Sequence, residues 1–167
     1  MGGNFSLPSL GADSNTSIVA GFSCGAYMAT NLNVIHSDTF KGAGMISGGP
    51  YLAEKYYPFG GLNMHYFSDY ERNSDYVTPL VTADAQQFSN DGLIDPIDNL
   101  KNMPIYILSN TKDSLTQPAL HDATKMFYDN FQSNVQFVQQ PWDQIWPTDI
   151  PEGVGLEFGM RLKTDCT

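Results

Sequence analysis

Gly21-Phe22-Ser23-Cys24-Gly25 has the spacing G-x-S-x-G, which can present a serine as a nucleophile. That chemistry needs the serine Oγ raised on a sharp strand-to-helix bend. There a base can take its proton and a backbone N–H can meet the developing oxyanion. Glycines suit the flanking positions because the turn is tight and the helix must pass close to the strand. Cys24, next after the serine, offers the oxyanion N–H. Asp113, at the end of the polar stretch Ser109-Asn110-Thr111-Lys112-Asp113, is the candidate acid that would orient a base. The base itself would be a histidine, and the chain has only His36, His65 and His121.

The elements around these residues follow from the apolar pattern. Residues 1–16 have the Gly, Pro, Ser, Asn and Asp content of a loop. Ile18 to Phe22 is short, apolar and β-branched at its start, which predicts a strand covered on both faces. Tyr27, Met28, Leu32 and Ile35 recur at helical spacing from Gly25 to about Ile35, and Ser37-Asp38 break the pattern. Ala43 to Ser47 predicts the next strand, closed by Gly48-Gly49-Pro50. Strand, helix and strand in this order make a right-handed βαβ unit with parallel strands.

Residues 51–100 show no strong period and are rich in Tyr, Asn, Asp, Pro and Gly, which suggests a lid-like insertion with short helices. Its aromatic residues Tyr56, Tyr57, Phe59, Tyr66, Phe67 and Tyr70 either pack the insertion onto the core or form an apolar wall for a substrate or partner. Pro104 introduces a third strand, Ile105 to Leu108, and Asp113 follows its C-terminal end, where open α/β sheets keep their ligands. Pro118 suits the first turn of a helix whose apolar face is Leu120, Ala123, Phe127 and Phe131. Val135 to Val138 is a fourth strand, and Leu156 to Met160 a further short one. The expected class is α/β, a parallel-sheet core with a Tyr-rich insertion at 51–100, making residues 1–167 one domain or part of one.

Composition narrows the functions. With 8 basic and 18 acidic residues, the formal charge of −10 argues against a phosphate-backbone partner, so no nucleic acid is expected. No apolar run approaches a membrane span, and the N-terminus lacks the charged and apolar regions of a signal peptide. Met1-Gly2-Gly3-Asn4-Phe5-Ser6 fits the N-myristoylation pattern, the one route by which a membrane partner enters. Asn4 and Asn15 begin glycosylation sequons that matter only in a secreted protein. Cys24 and Cys166 are read as free thiols or a single disulfide, without metal-ligand spacing; no metal or other cofactor is implied. Trp142 and Trp146 are expected to pack, and Asp143 and Asp149 to be solvated.

GFSCGAYMATNL followed by KGAGMISGGPY resembles the catalytic region of poly(3-hydroxybutyrate) depolymerase-like esterases, α/β-hydrolases of the circularly permuted fungal type. The resemblance runs through NTKDSLT to IWPTD, roughly residues 6–150, and is most specific in the elbow and GGPY segments. It implies Ser23 as nucleophile and Asp113 as acid, in the chain order Ser, Asp, His of this fold. The family places its histidine two residues before a W/F-P-T-D segment, and here that position is Gln144. A glutamine amide cannot accept and return a proton at neutral pH, although it can hold a hydrogen bond to the serine. His36 ends the helix after the elbow and His121 lies in the helix after Asp113, so neither is an obvious substitute. His65, in the insertion, is the one placed to swing over the site.

The second oxyanion donor belongs to a loop that, in the permuted family, comes after the segment present here. The same holds for the strands beyond the elbow strand. Ile18 to Phe22 is then expected to show an apolar edge, to be covered by a protein partner or second chain. Two functions follow. One is a degenerate hydrolase acting as a pseudoenzyme, binding or structural subunit. The other is a serine esterase that cleaves hydroxyalkanoate or other short carboxylic esters with Ser23. The family tends to be secreted, whereas this sequence shows no signal; the compartment stays open.

Overall fold

The computed structural model describes residues 11–56 and 65–147. Among them four strands form one sheet in the order β1-β2-β3-β4, every neighbouring pair parallel. The strands are β1 (Val19–Phe22), β2 (Ala43–Ile46), β3 (Pro104–Asn110) and β4 (Asn134–Gln140). The helices are α1 (Cys24–Ile35), α2 (Ala53–Tyr56), α3 (His65–Asn90) and α4 (Pro118–Asn130), with short 3-10 turns at Ser14–Thr16 and Ile97–Leu100. The α/β class, the parallel pairing and the strand–helix–strand unit around Ser23 agree with the sequence pattern. The strand expected at Leu156 to Met160 lies outside the described residues, as do Cys166 and the Gly2 and Asn4 motifs.

Ala43, Met45, Ile105, Ile107, Leu120, Ala123, Phe127 and Tyr128 build the core. Pro118 occupies the first turn of α4, where its missing N–H costs nothing. The expected face of α4 is buried at Leu120, Ala123 and Phe127, and Phe127 meets Phe131 edge-to-face at 5.2 Å.

Three expectations need correction. The buried face of α1 is Ala26, Ala29, Thr30, Asn33 and Val34, not Tyr27, Met28, Leu32 and Ile35; Met28 is 57% exposed. Small residues win there because α1 lies very close to the chain leaving β2. A Cβ on Gly48 would sit 2.5 Å from the Cβ of Ala26, and one on Gly49 would sit 2.2 Å from the Tyr27 ring. β1 is not covered on both faces: Ala20 is exposed and its other residues are half-buried. Residues 65–90, read as having no period, form one long helix, α3, that continues through Pro79 and packs on α4. Pro79 lacks an N–H and breaks one rung of the helical ladder, which obscures the pattern in the sequence. Of the insertion's aromatics, Tyr56 is described. Its hydroxyl donates to Asp84 of α3 at 2.7 Å, beside the Lys55–Asp84 ion pair at 2.6 Å.

Candidate functional site

The bend between β1 and α1 gives Ser23 its geometry. Ser23 has φ 55° and ψ −122°, a conformation natural to glycine and costly for a residue with a Cβ. Hydrogen bonds hold it there. The Ser23 N–H donates to Ile46 C=O at 2.9 Å, and the Ser23 C=O accepts from Ala26 N–H at 2.8 Å and Tyr27 N–H at 3.2 Å. Gly21 is obligatory, since a Cβ on it would lie 2.1 Å from the Gly25 carbonyl oxygen. Gly25 is different: among the described residues, a Cβ there would meet nothing within 4 Å. Cys24 is exposed and opens α1, so the helix ladder does not consume its N–H.

The loop after β4 brings Gln144 to the serine. The Gln144 amide nitrogen donates to Ser23 Oγ at 2.9 Å and to Thr116 Oγ1 at 3.3 Å, and the residue is buried. Asp143 fixes that placement. Its Oδ1 accepts from Gln144 N–H at 2.8 Å, Ser114 N–H at 3.1 Å and Ser114 Oγ at 3.2 Å. Asp143 is exposed, as expected, yet it is tied down. Slight burial raises its pKa, and the hydrogen bonds from Gln144 and Ser114 outweigh that and lower it. Trp146 packs its ring edge-to-face on Phe22 of β1 at 5.7 Å, which docks the loop against the elbow strand. The Trp142 C=O accepts from Lys112 N–H at 2.9 Å and joins this loop to the loop after β3.

Asp113 stands in that second loop. Its Oδ1 accepts from Thr116 N–H at 2.7 Å and Leu115 N–H at 2.9 Å, so it caps its own turn while remaining buried. Oδ2 is buried without a partner at hydrogen-bond geometry; the Ser47 hydroxyl approaches the carboxylate without completing that bond. Burial pushes the Asp113 pKa up, against the lowering effects of Ser47 and the two backbone amides. Ser23, Gln144 and Thr116 are thus linked by side-chain hydrogen bonds, and Asp113 joins them only through the Thr116 backbone N–H. Sequence reasoning named the first two and the last. It missed Thr116, Asp143 and the buried Ser47–Asn110 pair behind the acid loop, where Asn110 Nδ2 donates to Ser47 Oγ at 3.1 Å. The signal for Thr116 was an Asp followed three residues later by Thr, the spacing of a side-chain-capped turn.

His36 and His121 stay apart from this arrangement. His36 caps the far end of α1, about 20 Å along the helix axis from Ser23. His121 is shut in the core with Nδ1 3.0 Å from Ser109 Oγ, and burial lowers its pKa to about 4. His65 begins α3. Among the described residues no three His, Cys, Asp or Glu side chains gather as a metal site would require.

A parallel sheet with a serine on a strained strand-to-helix elbow, and an acid and a third loop converging on it, defines an α/β-hydrolase-type core. No family model matches the chain. The chain is 32% identical over 126 residues to a poly(3-hydroxybutyrate) depolymerase of Delftia acidovorans, covering 75% of this chain and 25% of that protein. It is 31% identical over 149 residues to a polyhydroxybutyrate depolymerase of Talaromyces funiculosus, covering 86% of this chain and 41% of the relative. Two solved structures superpose with a TM-score of 0.69: a PHB depolymerase complexed with R3HB trimer, at 26% identity, and the PHB depolymerase from Penicillium funiculosum, at 28%. The chain resembles these poly(3-hydroxybutyrate) depolymerases in sequence and shares their α/β-hydrolase fold. It spans less than half the length of each of these relatives.

Proposed function

We propose that this chain is a catalytically degenerate depolymerase-like protein, a pseudoenzyme that serves as a binding or structural subunit. The observation that carries the reading is the Gln144 amide donating to Ser23 Oγ at 2.9 Å. In a working triad the serine hydroxyl gives its proton to imidazole. Here the donor is the amide, which occupies a lone pair of the would-be nucleophile and has no basic site for the proton. Loss of a triad member of this kind costs about 10⁴- to 10⁶-fold in kcat. The site keeps a serine hydroxyl and the Cys24 N–H as groups for an ester or carboxylate. One solved relative is complexed with an R3HB trimer, so hydroxyalkanoate esters are the ligand class for this chain.

The test is p-nitrophenyl butyrate turnover by the wild type, Ser23→Ala and Gln144→His. The proposal expects no wild-type turnover above background, and turnover in Gln144→His that depends on Ser23. Wild-type turnover abolished by Ser23→Ala would overturn it and establish the other reading, a serine esterase with Ser23 as nucleophile and a base from elsewhere.

A further inference from the structure

Ser47, the residue that follows β2, has a positive φ of 52° and is fully buried. Glycine adopts that conformation freely, whereas a residue with a Cβ adopts it at a cost. A turn alone would be better served by glycine, so the serine side chain should have a task. Asn110, at the end of β3, points to it. Its Nδ2 donates to Ser47 Oγ at 3.1 Å and, at a longer 3.5 Å, to the C=O of Ile145. A carbonyl can only accept, so the Ile145 contact fixes which end of the amide is nitrogen. Ser47 Oγ therefore accepts from Asn110, and its own hydrogen is left to donate elsewhere. The buried carboxylate of Asp113 is the acceptor that Ser47 approaches. Oδ1 of Asp113 is taken by the N–H groups of Thr116 and Leu115, and Oδ2 has no partner at hydrogen-bond geometry among the described residues. Burial raises the Asp113 pKa, and Ser47 is the strongest of the influences that lower it. A buried carboxylate oxygen left without a donor is costly, and the Ser47 hydroxyl is the group beside it.

We propose that Ser47 is a positioning residue for the acid: directed by Asn110, its hydroxyl donates to Asp113 Oδ2 and holds that carboxylate fixed and ionised. The strained backbone at Ser47 is what this placement of the hydroxyl requires. Donors then run in one line from Asn110 to Ser47 to Asp113, joining the end of β2, the end of β3 and the loop after β3. The Asn110 contact with Ile145 carries the same assembly to the residue beside Gln144. This goes beyond the pseudoenzyme reading and does not depend on it. The acid limb of the site is kept in its charged form whether or not position 144 supplies a base.

The test is the titration of the Asp113 carboxyl, followed by its carbon-13 resonance in the wild type, Ser47→Ala, Ser47→Gly and Asn110→Ala. Gln144 stays in place in every protein, so the outcome is separate from that of the turnover test. Ser47→Gly removes the hydroxyl and the backbone strain together, which keeps the test decisive should Ser47→Ala fail to fold. Both Ser47 variants should titrate about one to two pH units above the wild type, because a hydrogen bond to the ionised form is lost. Asn110→Ala, which leaves the Ser47 hydroxyl undirected, should shift the titration in the same direction. Asp143, the charged neighbour that also raises the Asp113 pKa, is unchanged across the series. A purely structural role for Ser47 would alter the melting temperature and leave the titration where it was. Asp113 titrating as in the wild type in Ser47→Gly would overturn the proposal, as would an unshifted titration in folded Asn110→Ala.

Discussion

His121 gives this fold a calculable weakness to acid. Its ring is buried, with one nitrogen 3.0 Å from Ser109 Oγ and Nε2 without a partner, and burial lowers its pKa from 6.5 to about 4. Between those values the unfolded chain binds a proton that the folded chain refuses. The stabilisation is therefore complete above pH 6.5 and is lost as pH falls toward 4. At pH 5 the difference is about 1.5 pH units at 1.36 kcal/mol each, or about 2 kcal/mol less stability than at pH 7. Asp113 and Asp122 act in the opposite sense. Burial raises both pKa values, so the folded state binds their protons first and acidification favours the fold. A His121→Gln variant keeps those carboxyls and removes only the titration. Urea unfolding at pH 7 and pH 5 should show the wild type losing about 2 kcal/mol more than His121→Gln over that interval. Equal pH dependence in the two proteins would refute the reasoning, because it would mean that the folded state accepts the proton at His121 as readily as the unfolded one.

Ser23→Gly should raise unfolding stability by about 1 kcal/mol, since relief of about 2 kcal/mol of backbone strain exceeds the one hydrogen bond lost with the hydroxyl. A lower melting temperature in Ser23→Gly would contradict the strain assigned to the elbow. Gly21→Ala should cost about 3 kcal/mol or more in chemical denaturation, because the added methyl lies 2.1 Å from backbone oxygen that cannot yield. Tyr128→Phe should cost about 1–3 kcal/mol by leaving buried Asn33 Oδ1 without the hydroxyl that donates to it at 2.9 Å.

Local patterns read well from the sequence where one rule acts alone. The G-x-S-x-G spacing and the apolar runs at Val19 and Ala43 gave the strand–turn–helix–strand unit, and Pro118 marked the start of α4. The reading of α1 failed because apolarity and burial part company there. A helix pressed against Gly48 and Gly49 turns its smallest side chains inward, leaving Met28 exposed. The long helix at 65–90 escaped notice because Pro79, a residue that ordinarily ends a helix, stands inside it. Within the site, Ser23, Asp113 and Gln144 were legible by motif and resemblance. Thr116, Asp143 and Ser47 were not. Their roles depend on the segments that meet at the C-terminal ends of β1, β2, β3 and β4, a tertiary arrangement that no local pattern records.

The most direct test of the central claim is the reactivity of Ser23 itself, read by mass spectrometry after treatment with diisopropyl fluorophosphate. An activated serine is phosphorylated by this reagent, whereas a hydroxyl held by a glutamine amide has no base to draw its proton. The expected result is an unmodified Ser23 in the wild type and stoichiometric labelling of Ser23 in Gln144→His. Labelling of Ser23 in the wild type would contradict the account.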